Sequence, residues 1–393
     1  MSSATFLVTV SGPDRVGVGA ELFAALTSLE SKGLAITDVA QITIRGSLVL
    51  CAEVSSRNAV SREVVEAALA QRNIVNEGIT ATVEEVTPSD LSHGRRLLVT
   101  FLAPRIGATQ LEAVFVAIAA SGSTCERIVH LASYPVDCYE LVVHGSNHAL
   151  LREALVEVAS TSGLDLAVQR AGLHRRAKHL VVMDADSTLL QDEVIDLLAE
   201  ECGCAPEVSA ITELAMSGEI DFAEALRRRV ALLEGLPATV LDDVRARLRL
   251  TPGARTLLRT LQRLGYVPAV VSGGFVEVLE PLMAELKVEH LAANRLEITE
   301  GKLTGRLVGD IVDRAGKASA LHRFAHEVGV PLEQTVAVGD GANDIDMLSA
   351  AGLGIAFNAK PVVQEHADTQ LSVPYLDAVL YFLGISREEI ETE

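Results

Sequence analysis

HLVVMDADSTLLQDE, residues 179–193, divides into an apolar run and a polar break. Leu180-Val181-Val182-Met183 is uninterrupted, and Asp184-Ala185-Asp186-Ser187-Thr188 follows at once. A strand without polar alternation is buried on both faces, the mark of a parallel sheet covered by helices. YVPAVVSGG (266–274), TVAVGDG (335–341) and LGIAF (353–357) read the same way, with helical patterns between them. The stretch 194–264 is largely helical and too long for a simple crossover, so an inserted helical cap is expected at about residues 191–262.

Open α/β sheets bind ligands beyond the carboxyl ends of their strands. Three of these runs end in polar residues: Asp184 to Thr188, then Ser272-Gly273-Gly274, then Gly339-Asp340-Gly341-Ala342-Asn343-Asp344. Lys317 begins the helix that leads into the third. Any single strand-end Asp reads equally well as a helix N-cap. Four such groups at the mouths of successive strands do not. Other motifs fail on spacing. A calcium loop from Asp184 needs Gly and Glu where Leu189 and Ile195 stand. A P-loop ending at Gly316-Lys317 needs Gly and Ser or Thr where Ile311 and Ala318 stand.

The first half repeats one small unit. TFLVTVSG leads through Pro13-Asp14-Arg15-Val16-Gly17 into AELFAALTSLESKG, then strand-like runs at 35–44 and 48–54, a helix at 61–71 and a strand at 79–86. RLLVTFLA, Pro104-Arg105-Ile106-Gly107 and QLEAVFVAIAASG repeat the opening, followed by strands near 125–132 and 138–144, a helix at 148–161 and a strand at 164–169. Strand-helix-strand-strand-helix-strand is the ferredoxin-like order. The expected boundaries are 1–86, a linker 87–96, 97–169, a linker 170–178, and 179–393.

Each copy resembles an ACT domain, the small-molecule sensing module of many amino-acid biosynthetic enzymes. That resemblance implies an amino-acid effector near Gly12, Asp14, Gly17 and Gly107, where glycine lets backbone amides approach a carboxylate beside a helix N-terminus. Copy two has Leu102-Ala103-Pro104 in place of Gly12-Pro13-Asp14.

DADSTLLQDE, DFAEALRRRV, VVSGGF, ANRL, GKLTG and VAVGDGANDIDML together resemble the phosphoserine phosphatase family of the haloacid dehalogenase-like superfamily. The implied fold is a doubly wound, Rossmann-like parallel sheet with a helical cap, preceded by two ferredoxin-like α+β ACT domains. The implied reaction is hydrolysis of O-phospho-L-serine to L-serine and phosphate, the last step of L-serine biosynthesis. By resemblance, Asp184 is the nucleophile and forms an aspartyl-phosphate. Asp186 protonates the leaving oxygen and later activates water. Mg²⁺ is held by Asp184, the Asp186 carbonyl and Asp340, with Asp344 reaching it through water or orienting Lys317. Ser272, Gly273 and Lys317 hold the phosphoryl oxygens, with Asn343 assisting. Glu193 takes the substrate ammonium and Arg229 its carboxylate, with Phe222 and Met216 lining the pocket. Arg228 stays on a solvated face. Two other readings use the same residues: a related phosphomonoesterase or phosphotransferase, and an inactive amino-acid-binding regulator.

Charge and composition bound the partners. Net charge is −20, with 33 basic and 53 acidic side chains. Residues 1–178 carry 15 basic and 18 acidic groups, and residues 179–393 carry 18 and 35. Such acidity disfavours nucleic acid and anionic membranes. The opening MSSATFLVTV lacks a basic region before a long apolar run, no stretch is long and apolar enough to span a bilayer, and the five cysteines are scattered. A cytoplasmic enzyme with free thiols is expected. ACT domains commonly pair across subunits, so a homo-oligomer, a dimer, is expected.

Overall fold

The computed structural model describes residues 4–56, 60–72, 74–75, 78–87, 96–145, 148–172, 175 and 177–391. Most of the expected linker 87–96 and part of 170–178 therefore lie outside the described residues, as does the side chain of Met216. The chain forms two compact units, 1–93 and 94–393, each taken by itself.

The first unit is a four-stranded antiparallel sheet, order β2-β3-β1-β4, built from β1 (Ala4–Pro13), β2 (Leu34–Ile44), β3 (Ser47–Ser56) and β4 (Thr80–Val86). Two helices cover one face, α1 (Val18–Glu30) and α2 (Arg62–Gln71). Alternation decides the packing: Phe6, Val8 and Val10 of β1 meet Leu22, Leu26 and Leu29 of α1.

The second unit opens with the same architecture. Strands β5 (Leu97–Ala103), β6 (Ser123–Ala132), β7 (Asp137–Gly145) and β8 (Asp165–Arg170) form a sheet of order β6-β7-β5-β8. Helices α3 (Ala108–Ala120) and α4 (His148–Ser162) pack on Val99, Phe101 and Leu141. The other face is not free. Leu102, Cys138 and Ala167 share a hydrophobic core with Leu380 and Phe382 near the C-terminus.

The remaining chain is a seven-stranded sheet of order β12-β11-β10-β9-β13-β14-β15. Its strands are β9 (Leu180–Met183), β10 (Val267–Phe275), β11 (His290–Thr299), β12 (Lys302–Val308), β13 (Thr335–Gly339), β14 (Gly354–Phe357) and β15 (Thr369–Leu371). Every pairing is parallel except that of β12 with β11. The hairpin between those two was not anticipated, although Glu300-Gly301 marks it. Both residues take positive φ, 51° and 75°, as a tight two-residue turn requires.

Helices α5 (Val194–Cys202), α6 (Ala205–Met216), α7 (Phe222–Ala231) and α8 (Val240–Arg247) form the insertion. A bridge between Leu190 and Leu250 closes its base. The next helix, α9 (Ala254–Arg263), lies inside the limits expected for the cap but packs against β10 as the crossover. Helix α10 (Val276–Leu286) follows β10, and α11 (Arg314–Val328) leads into β13. Strand residues alternate between two cores: Val181 and Met183 face α9 and α10, while Leu180 and Val182 face α11. Both faces are covered, which is why β9 needs no polar side chain.

Candidate active site

Three adjacent parallel strands place the polar residues together. β9 lies between β10 and β13, with Val182 level with Ala269 on one side and Ala337 on the other. Their carboxyl ends therefore bring Asp184, Ser272 and Asp340 to one rim. After β9 the chain makes one wide turn, Leu190 N donating to Ala185 O at 2.8 Å. Ser187 sits there at φ 57°, which a non-glycine residue adopts only under constraint from its surroundings.

Lys317 comes from the first turn of α11, whose N-cap Asp313 accepts from Gly316 N. Its ammonium is fully buried, 2.8 Å from Asp184 Oδ2 and 2.7 Å from Asp344 Oδ1. Burial opposes that charge, but Asp184 and Asp344 outweigh it and hold the ammonium protonated above the ordinary lysine value. Burial, followed by the charge of Asp344, drives Asp184 well above the usual carboxylate range. Asp340 is pushed up to about 6, by burial first and then Asp344. Asp186 is pushed up to about 7, by burial first and then Glu193.

Carboxylate oxygens of Asp184, Asp340 and Asp344 lie within 4.8 Å of one another. An all-oxygen, crowded acidic set suits a hard divalent cation such as Mg²⁺ and has none of the nitrogen or sulfur ligands that favour zinc. Asp344 has both oxygens engaged, one with Lys317 and the other accepting from Gly341 N at 2.9 Å. Asp186 stands apart from that group. Its Oδ1 accepts from Val194 N at 3.0 Å and its Oδ2 from Ser272 Oγ at 3.3 Å.

A cavity of about 140 Å³ opens over these groups. Phe222, Leu226 and Arg229 line it from the cap, at i, i+4 and i+7 on one face of α7. Arg228 points elsewhere and pairs with Glu224 on the exposed face. Arg229 is half-buried, and its buried Nε has no hydrogen-bond partner among the described residues. Glu193 and Asn343 complete the lining, with Ser187 Oγ donating to Glu193 at 3.0 Å. At Gly273 an added Cβ would sit 3.0 Å from the Phe222 ring, so the cap closes on a residue without a side chain.

Asp184, Asp186, Glu193, Arg229, Ser272, Gly273, Lys317, Asp340, Asn343 and Asp344 are thus gathered around one cleft. Two neighbours escaped the sequence reading. Thr188, inside the quoted run, donates to Asp340 at 2.9 Å. Asp196 sits one turn after Glu193, and its charge acts on Arg229; the i, i+3 spacing was the available signal.

The loop residues expected to bind an effector are described within their own domains. Gly12 is the penultimate residue of β1, at φ 153°, and Gly17 caps α1 at φ 99° beside the fully exposed Val16. Asp14 donates its backbone N–H to Gly46 O. In the second copy Gly107 caps α3, but the neighbouring Ile106 N already donates to Asp137 Oδ2 at 2.9 Å.

Comparison with known proteins adds the following. Residues 181–349 match the haloacid dehalogenase-like hydrolase family, and residues 4–79 and 97–169 each match an ACT domain family. The chain is 50% identical over 390 residues to a phosphoserine phosphatase of Streptomyces coelicolor, covering 98% of this chain and 94% of that one. It is 48% identical to a phosphoserine phosphatase of Mycobacterium tuberculosis, covering 99% and 95%. Among solved structures, a phospho-aspartyl intermediate analogue of phosphoserine phosphatase matches at 42% identity with a TM-score of 0.50, over 52% of this chain and 98% of that one.

Proposed function

This chain belongs to the phosphoserine phosphatase family of haloacid dehalogenase-like hydrolases, and we propose that it hydrolyses O-phospho-L-serine to L-serine and phosphate with the residues gathered at the cleft. The guanidinium of Arg229, with its buried Nε, carries the reading of the substrate. It lies in the same small cavity as Glu193, with an N–H that no atom of the described residues accepts. A substrate carboxylate satisfies that donor, and a substrate ammonium suits Glu193.

Asp184 attacks phosphorus through a carboxylate oxygen, and the bond to the serine oxygen breaks. Asp186 gives its proton to that oxygen, so serine leaves as the alcohol. Water then attacks the phosphoryl group on Asp184 as Asp186 takes a proton back; the bond from phosphorus to the Asp184 oxygen breaks, restoring the carboxylate and releasing phosphate. A group near pH 7 serves both steps at neutral pH, which fits the value of about 7 that burial and Glu193 give Asp186. Lys317, Ser272, Gly273 and Asn343 hold the phosphoryl oxygens. Asp184, Asp340 and the Asp186 carbonyl would hold Mg²⁺, with Asp344 beside them fixing Lys317. The cation, when bound, supplies Lewis-acid neutralisation of phosphoryl charge.

An amino acid, L-serine itself by feedback, is the effector proposed for the loops at Gly12, Asp14, Gly17 and Gly107. A homodimer through the N-terminal domains is proposed with it. No helix among the described residues is long and apolar enough to cross a membrane, and all five cysteines are free thiols, which suits a cytoplasmic enzyme.

Phosphate release from phosphoserine, phosphothreonine and sugar phosphates, with and without Mg²⁺ and with serine titrated in, tests this reading. Strong preference for phosphoserine and dependence on Mg²⁺ are expected. A sugar phosphate hydrolysed faster than phosphoserine overturns it.

A further inference from the structure

Thr251 contacts no group assigned to the reaction, yet it leads directly to one. It stands where the chain leaves the cap and returns to the sheet, just beyond the Leu190–Leu250 bridge. Its Oγ1 donates to Thr188 O at 2.7 Å, and its N–H donates to Leu189 O at 2.9 Å. Thr188 in turn donates its own Oγ1 to Asp340 Oδ1 at 2.9 Å. Both threonines are buried, Thr188 fully. Each buried hydroxyl is committed to one acceptor, Thr251 Oγ1 to the Thr188 carbonyl and Thr188 Oγ1 to Asp340, so the column Thr251–Thr188–Asp340 holds the carboxylate from behind.

The far side of Thr251 is clamped as well. Leu376 N donates to Pro252 O at 2.8 Å. Gly253 holds φ 83°, and an added Cβ would meet Asp377 at 2.1 Å, so the C-terminal strap lies directly on this turn. That strap is anchored in the second N-terminal domain, where Ser372 N donates to Asp165 Oδ2 at 2.6 Å.

We infer that Thr251 is a positioning residue for Asp340: through Thr188 it aims the carboxylate that holds the divalent cation, and the strap holds Thr251 in place. This rests on the reading of Asp184 and Asp340 as cation ligands. Partners that orient metal ligands typically change metal affinity by about 10- to 100-fold when removed.

The test is direct Mg²⁺ binding to substrate-free protein by titration calorimetry, beside kcat and KM for phosphoserine at saturating Mg²⁺. Thr251→Val keeps the branched shape and removes the donor; Thr251→Ala, smaller, covers a Val variant that does not fold. About tenfold weaker Mg²⁺ binding is expected in either, with KM for phosphoserine unchanged and Thr251→Ser restored to within about twofold. Mg²⁺ binding equal to wild type in the folded Val or Ala variant, or a Ser variant no better than Val, overturns the inference. A wild-type protein that binds no Mg²⁺ overturns the reading of the cation site, and the inference with it.

Discussion

Nζ of Lys317 lies 2.8 Å from Oδ2 of Asp184, with the lysine side chain wholly buried. A buried ion pair stabilises only while both partners remain; removing one leaves an uncompensated charge costing about 3–5 kcal/mol. Lys317→Met therefore loses activity by at least about 100-fold, and it lowers the melting temperature in the absence of divalent cation. Added Mg²⁺ restores part of the stability, because it neutralises Asp184 and Asp344, but not the rate. Melting curves and phosphate release with and without Mg²⁺ check both parts.

Arg229 distinguishes substrates. Its buried Nε has no partner among the described residues. Arg229→Lys removes the two-pronged grip on a carboxylate while keeping positive charge. KM for phosphoserine rises by roughly 10- to 100-fold, whereas hydrolysis of an aryl phosphate, which has no carboxylate, changes little. Parallel kinetics on the two substrates report the difference. An equal loss on both assigns Arg229 to general structure instead.

The crowded carboxylates make cation binding depend on pH. Asp340 is raised to about 6 and Asp184 lies above the usual range, so both take up protons where ordinary carboxylates stay ionised. Protons and cation compete for the same oxygens. As pH falls through about 6, the Mg²⁺ concentration for half-maximal activity rises, and excess Mg²⁺ recovers the rate. The check is a Mg²⁺ titration at several pH values. Half-saturation that does not move with pH contradicts it.

Asp165 gives a test of the contact between the second N-terminal domain and the catalytic domain. Burial lifts its pKa to about 6 from an ordinary value of 3.8. The folded state thus holds a proton that the unfolded state has released, and stability falls as pH rises from about 4 to about 6. Above that window the full cost of the buried charge is present. Asp165→Asn keeps an oxygen for Ser372 N and removes the charge. It raises the melting temperature by a few degrees near pH 7.5 and leaves it unchanged near pH 4.

Much of this was legible in the sequence because it rests on local pattern. The apolar runs ending in Asp184, Ser272 and Asp340 had to be buried parallel strands, and adjacency in the sheet brings their ends together. Glu193 and Arg229 came from resemblance alone; the helical register that puts Phe222, Leu226 and Arg229 on one face agrees with it. Less legible were features set by distant contacts. Thr251 follows an unremarkable Leu-Arg-Leu run, and its hydroxyl meets Thr188 across 63 positions of sequence. The strap at 371–378 has no periodicity of its own and is held by Asp165 and Pro252. The hairpin at Glu300-Gly301 was not anticipated, because only Gly301 favours positive φ while Glu300 takes φ 51° without such a preference.

The most direct measurement is acid quench of the protein during turnover of phosphoserine, followed by peptide mapping of the phosphoryl group. A phosphorylated peptide spanning Asp184 is expected in the wild type, absent in Asp184→Asn, which releases no phosphate. Phosphoserine turnover by Asp184→Asn, or the phosphoryl group on any other residue, contradicts the assignment of Asp184 as nucleophile.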